Sequence, residues 1–301
     1  MNTANATYDG TFTVDVEDYF HVSAFSSFIR PDDWDHYDCR VEQSTRTVLQ
    51  IAAETNTVGT FFVLGWVAER YPELVREIQS AGHEIGCHSQ QHQLVYELGP
   101  DRFRADLRTS RDVLQQITGK PVRLYRSPSF SVTRKSLWAL PILAEEGFTI
   151  DSSIYPVRHD RYGIPDAPRQ PFLCDTPGGP IAEFPGMVCS VGATNIPVGG
   201  GGYLRLLPWF VTERMLRQVR RQRRPLNVYI HPWEFDPQQP RIKASLKSRF
   251  RHYQSLSTTA PKIRAMLQQF RLTKMSTVLD QSELSVVDLP TAAEPATAVQ
   301  S

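Results

Sequence analysis

The sequence predicts an α/β fold built on a parallel sheet or a (β/α) barrel, on three observations. Short β-branched or aromatic runs alternate with longer segments of helical spacing from about residue 11 onward. Polar clusters follow the ends of those runs, at 15–18, 88–92, Arg126, Asp151 and His231. In α/β folds the reactive groups sit where parallel strands end. The length of 301 residues suits two ordinary domains or one large barrel.

Residues 11–16 (TFTVDV) read as a strand running into acidic residues. Residues 44–55 read as a helix with Val48, Ile51 and Ala52 on one face. Residues 59–64 are β-branched and aromatic, as in a buried strand. Residues 66–81 read as one helix or two, with Pro72 suited to a first turn and Gly82 past the end. A short strand is expected at 83–87. The clearest helix covers 101–118, where Phe103, Leu107, Ser110, Leu114 and Ile117 follow 4-3-4-3 spacing and Gly119 comes after the last turn. Strands at 122–125, 148–151, 181–184 and 226–230 and helices at 135–146 and 208–223 continue the alternation. Segment 156–202 is rich in Pro and Gly, ends in four glycines, and is expected to fold over the site. The expected organisation is an extension at 1–10, a catalytic domain at 11–290 with an added second half from 156, and a disordered Ala/Thr/Pro-rich tail at 291–301.

Charge nearly cancels, 33 Lys+Arg against 32 Asp+Glu, which argues against a strongly basic nucleic-acid binder. The hydrophobic share of 41% supports a sizeable core and excludes global disorder. Four cysteines at 39, 87, 174 and 189 form no CxxC pair and read as neither a disulfide framework nor a zinc ribbon. The N-terminus lacks a basic, then apolar, export signal, so the expected compartment is the cytoplasm or the cytoplasmic face of the inner membrane. The most apolar stretch, 58–68, is too short to span a bilayer.

HSQQH places His88 and His92 four apart, so a helical or turn-like backbone puts both imidazoles within reach of one divalent metal. The pair gains weight because a strand delivers it. Cys87 points away from His88 on that strand and reads as a buried structural thiol. TVDVED carries Asp15, Glu17 and Asp18. One carboxylate would complete a two-His, one-carboxylate site and another would serve as base. Asp15 and Glu17 share a strand face, whereas Asp18 needs the chain to turn. Arg126 in RSPSF reads either as a strand-end surface pair or as the group that aims a catalytic carboxylate. His231, after an apolar strand, reads either as a core histidine or as a general acid, with Asp151 a candidate partner.

TVDVEDYF, HEIGCHSQQH, RSPSF, DSSIYP and the late strand-end histidine resemble, in order, the five motifs of polysaccharide deacetylases, the NodB-homology group or carbohydrate esterase family 4. DVEDYFHVSAF, FFVLGWVAERYP, GGGGYLRLLP and YIHPWEFDP look like its exosortase-associated, exopolysaccharide-locus subgroup. The resemblance covers roughly residues 10–280. It implies a distorted (β/α) barrel with fewer than eight regular units and a subgroup-specific C-terminal elaboration. Asp15 matches the base, His88 and His92 the metal histidines, Arg126 the residue that orients the base, His231 the acid and Asp151 the carboxylate that tunes it. The family's usual metal carboxylate directly follows the base, where Val16 stands here, so the ligand is Glu17 or Asp18.

The resemblance further implies a divalent metal, Zn²⁺ before Co²⁺, Ni²⁺ or Mn²⁺. It also implies removal of N-acetyl groups from an amino-sugar polymer or lipid-linked oligosaccharide. Tyr155, Phe130, Trp233, Tyr203 and Glu183 are the candidate cleft walls, and Tyr19, Phe20, Phe235 and Arg205 lie near the motifs. Two other readings stay open: a metal-independent amidase on a small cyclic amide, and a carbohydrate-binding protein with a degenerate site.

Overall fold

The computed structural model describes residues 7–192 and 194–289, so the expected tail at 291–301 and most of the N-terminal extension lie outside the described residues. Strand β1 (Gly10–Val16) is buried along its whole length. Helix α1 (Val41–Glu54) and β2 (Thr60–Val63) follow, then α2 (Gly65–Arg70), α3 (Pro72–Ser80) and β3 (Glu84–Cys87). Next come α4 (Val95–Leu98), α5 (Pro100–Thr118), β4 (Leu124–Tyr125), α6 (Ala139–Glu145) and β5 (Ile150–Asp151). The Pro/Gly-rich segment supplies β6 (Phe172–Cys174), β7 (Ile181–Glu183), β8 (Val188–Val191) and β9 (Thr194–Pro197). Helices α7 (Gly201–Leu206) and α8 (Trp209–Arg221) lead to β10 (Leu226–Ile230). The chain continues through α9 (Leu246–Tyr253), α10 (Thr259–Gln269), β11 (Leu272–Thr273), α11 (Met275–Asp280) and β12 (Ser285–Val286).

One sheet runs β10-β1-β2-β3-β4-β5-β7-β6-β12, with β11 also on β1, while β8 and β9 form a separate hairpin. Pairing is parallel from β10 to β7 and antiparallel between β7 and β6. This is the distorted, open (β/α) barrel that the motif resemblance implied, within the α/β class expected from the alternation. β1, paired with β10 on one side and β2 on the other, alternates in polarity: Phe12, Val14 and Val16 join the apolar core, while Thr13 and Asp15 are buried polar side chains bonded to Arg126. Glycine is required where backbones crowd. A Cβ on Gly200 would meet the Tyr229 carbonyl at 1.9 Å, at the bridge that ties the glycine run to β10.

The differences from the sequence-based elements have local causes. Helix α1 begins at Val41 rather than 44, because the Asp18 carboxylate accepts from the Arg40 and Val41 amides at 2.6 and 2.7 Å. The helix at 66–81 is two helices, since Tyr71 before Pro72 adopts φ −128° and ψ 57°. Strands of two to four residues, such as β6 and β12, are too short to show a period of two. Among the described residues no helix is long and apolar enough to cross a membrane.

Burial of neutral histidines makes the fold acid-sensitive. His83 accepts the Gly59 amide at 3.0 Å on Nδ1, and burial pulls its pKa down to about 4. The unfolded chain, at the ordinary 6.5, binds the extra proton first, so stability is full above that value and falls as pH drops from 6.5 toward 4. Between pH 7 and pH 5 His83 should cost roughly 2 kcal/mol. Urea midpoints for the native chain and His83→Asn check this. A fall of the same size in both would rule His83 out as its source.

Candidate active site

The C-terminal ends of β1, β3, β4 and β10 meet at one cleft of about 170 Å³, walled by Phe130, Tyr162, Tyr229 and Trp233. Asp15, Glu17, His88, His92 and His231 all line it. Alternation along β1 carries Asp15 there, and a turn closed by Glu17 N–H on the Asp15 carbonyl at 3.0 Å keeps Glu17 beside it.

Ligating atoms of Glu17, His88 and His92 lie within 4.8 Å of one another, and all three residues are buried. The His92 Nε2 to Glu17 Oε2 distance is 2.7 Å. The Trp233 indole N–H donates to Glu17 Oε1 at 3.1 Å and aims the carboxylate. His88 Nδ1 lies 2.8 Å from the Arg126 carbonyl. A proton on Nδ1 makes that hydrogen bond and leaves the Nε2 lone pair free for an ion. Burial works against charge on Glu17, but the imidazoles of His92, His231 and His88 outweigh it and hold the carboxyl well below its usual range. Burial pulls His88 down to about 4, so the imidazole is neutral at pH 7, as a ligand must be. Two imidazoles and one carboxylate are a donor set that fits a divalent ion such as zinc.

The HSQQH loop is not helical. Ser89 and His92 adopt φ of 69° and 52°, and across the cleft Ser129 and Phe130 adopt 54° and 53°. Strain of this kind persists only where neighbours over-determine it. Here Gly65 N–H and Ser110 Oγ both bond the Ser89 carbonyl, and the Gln90 amide bonds Asp106. Cys87 is buried against Ser110, on the far side from His88 as strand alternation requires.

Arg126 is fully buried and reaches Asp15 Oδ1 at 2.8 Å and Thr13 Oγ1 at 2.7 Å through one nitrogen. Its other donors go to Ser152 and Asn227, and its guanidinium lies 4.3 Å above the Phe62 ring. Gly86 makes room for that ring, since a Cβ there would meet it at 2.5 Å. Asp15 Oδ2 stands 3.9 Å from His231 Nε2. The other nitrogen of His231, Nδ1, is 3.3 Å from Glu234 Oε1. Burial works against the imidazolium, but the Glu234 hydrogen bond and the charges of Glu17, Glu234 and Asp15 carry its pKa up to about 9.

Five sequence-based assignments are corrected. Asp18 does not reach the histidines: its carboxylate is held by the Tyr19, Arg40 and Val41 amides and the Cys39 thiol, at the start of α1. Asp151 does not touch His231. It stands opposite Glu183 across β5 and β7, accepts from Ser153, and shares buried surroundings in which both carboxyls are pushed up, Glu183 the further. Glu183 is therefore part of that buried pair and not a cleft wall. Tyr155 is fully buried behind Phe130, 4.9 Å ring to ring, with its hydroxyl on the Met187 carbonyl. Tyr203 is 41% exposed on α7 and does not line the cleft.

Sequence reasoning missed Glu234 and Tyr162. Glu234 had a signal: Pro232 starts a 3-10 turn directly after His231, which brings the third residue back onto it. Arg205 lies 3.7 Å from Glu234 through Nε and 5.1 Å from the Trp233 ring centre. A second cavity of about 290 Å³ shares Val22, Ser23 and His92 with the first.

Residues 32–145 match the polysaccharide deacetylase family model, and 152–280 match a domain of unknown function, DUF3473. A peptidoglycan-N-acetylglucosamine deacetylase of Bacillus cereus is 29% identical over 107 residues, 35% of this chain and 38% of that protein. Peptidoglycan-N-acetylmuramic acid deacetylase PdaA of Bacillus subtilis is 32% identical over 84 residues, 28% of this chain and 32% of that protein. The matched stretches thus span about a third of these relatives' own lengths. The structure described as a "putative polysaccharide deacetylase from Mycobacterium smegmatis" superposes with a TM-score of 0.60 at 20% identity, covering 96% of this chain and 99% of that one. Over residues 32–145 the chain is thus similar to polysaccharide deacetylases, and its fold is that of the Mycobacterium smegmatis structure.

Proposed function

We propose that the chain is a metal-dependent hydrolase that removes acetyl groups from N-acetylated amino sugars of an exopolysaccharide or its lipid-linked precursor, releasing acetate. The observation that carries this reading is the meeting of a Glu17–His88–His92 donor set with an Arg126-held Asp15 and with His231 in one cleft. A divalent ion held by Glu17, His88 and His92, Zn²⁺ before Co²⁺, Ni²⁺ or Mn²⁺, would supply Lewis acidity toward water and the acetyl carbonyl.

The chain's own groups account for the proton movements. Asp15 accepts the proton of the attacking water on Oδ2, while Arg126 holds Oδ1. His231 donates from Nε2 to the departing sugar nitrogen. Glu234 engages Nδ1, so Nε2 is the nitrogen that faces the reaction. The rings of Phe130, Tyr162, Tyr229 and Trp233 offer faces for a sugar, and the adjoining cavity extends the room toward a neighbouring residue of an oligomer.

Metal content and acetate release from acetylated amino-sugar oligomers test this, with His88→Ala/His92→Ala beside the native chain. About one ion per chain, lost together with activity in the double variant, is the expected result. A native chain that takes up no ion after loading with zinc or cobalt and removal of excess would overturn it.

A further inference from the structure

Charge is unevenly placed in this nearly neutral chain. Residues 237–279 hold nine Lys or Arg and no Asp or Glu. Five of the nine, Arg241, Lys243, Lys247, Arg249 and Arg251, are exposed on or just before α9. Among the described residues none of these five lies within 4.0 Å of a carboxylate.

The same helix turns its large apolar side chains outward. Leu246 is 82% and Phe250 63% exposed, one helical turn apart, and within α9 only His252 is buried. Neighbouring elements do likewise. Leu206 ends α7 half-exposed, and Phe210 in the first turn of α8 is 71% exposed. These elements adjoin, because the Arg205 guanidinium of α7 donates to the carbonyls of Arg251, His252 and Gln254. Phe25 packs on His252 at 4.8 Å, and Phe28, three residues further along the chain, is half-exposed.

We propose that α9, with the adjoining end of α7 and start of α8, is a surface that docks on an anionic lipid bilayer. Lysines and arginines meet anionic headgroups, and projecting Leu and Phe side chains enter the acyl boundary, the two-part chemistry of an interfacial helix. A polyanion in water would match the charge but would leave Leu246, Phe250 and Phe210 without a partner. The surface also adjoins the cleft: His252 stacks on Trp233 at 4.1 Å, and Trp233 stacks on His231 at 5.2 Å. Docking here would hold the cleft near the membrane. The proposal does not depend on the hydrolase reading.

Sedimentation of the full chain with vesicles tests it, using equimolar phosphatidylglycerol and phosphatidylcholine against phosphatidylcholine alone. At least tenfold tighter binding to the anionic vesicles is expected. Leu246→Ser/Phe250→Ser and, separately, Lys247→Gln/Arg249→Gln/Arg251→Gln should each weaken it at least tenfold, with circular dichroism and ion uptake unchanged. Failure of the native chain to sediment with anionic vesicles overturns the proposal. So does undiminished binding by Leu246→Ser/Phe250→Ser, which would mark a surface for soluble polyanions.

Discussion

Glu17→Gln is expected to strip the protein of its divalent ion and to lower acetate release by a factor on the order of 10²–10³, while Asp18→Asn keeps ion and activity. The two residues are adjacent and both are buried acids, so only geometry separates them. Glu17 Oε2 is 2.7 Å from His92 Nε2, and Oε1 is steered by the Trp233 indole. An amide at this position keeps the size of the side chain but removes the charge that a cation needs. The Asp18 carboxylate is already spent on three backbone amides and a thiol at the start of α1. An amide there weakens hydrogen bonds that a charged acceptor makes stronger, at about 1–3 kcal/mol of stability. Ion content, acetate release and urea midpoints of the two variants separate the outcomes. Ion loss in Asp18→Asn with retention in Glu17→Gln would reverse the assignment.

The choice between Glu17 and Asp18 shows which signals the sequence carries. Strand parity puts Asp15 and Glu17 on one side, and the structure keeps that side through the turn after Val16. The barrel and the His88–His92 pair were legible for a related reason: parallel strands end at one edge, so polar clusters after strand-like runs must gather there. Arg126 was legible only as a strand-end arginine, for a surface pair or for a carboxylate; its pairing with Asp15 was what the motif resemblance implied. The alternation stopped being informative at strands of two or three residues such as β6 and β12. Asp151 shows the cost. It does sit at a strand end, but its register opposite Glu183 turns it to a buried carboxyl pair, and register across β5 and β7 is a tertiary fact. Nor does a one-dimensional reading say whether Leu246 and Phe250 face inward; helical spacing is the same for a core stripe and for a bare surface.

Glu234→Gln is expected to lower acetate release 10- to 100-fold, in the range for loss of a partner that orients a reacting group. It should also move the alkaline limb of the pH profile downward. His231 must carry a proton to act as the acid, so activity persists below its pKa and fades as pH rises through it. Burial alone would pull that pKa below the ordinary 6.5; the Glu234 hydrogen bond heads the interactions that carry it up to about 9. With the charge on Glu234 gone, the limb shifts toward neutral pH, and the profile distinguishes this from mere loss of folded protein. Asp151→Asn is the control that the altered geometry demands. Asp151 makes no contact with His231, so the limb should stay in place while the Asp151–Glu183 pair loses its shared charge inside the fold. If Asp151→Asn moves the limb and Glu234→Gln does not, His231 is tuned across the sheet and not from its own turn. The same pair of profiles decides the standing of Arg205. Its Nε, 3.7 Å from Glu234, would then matter only for holding α9 and not for the charge behind the acid.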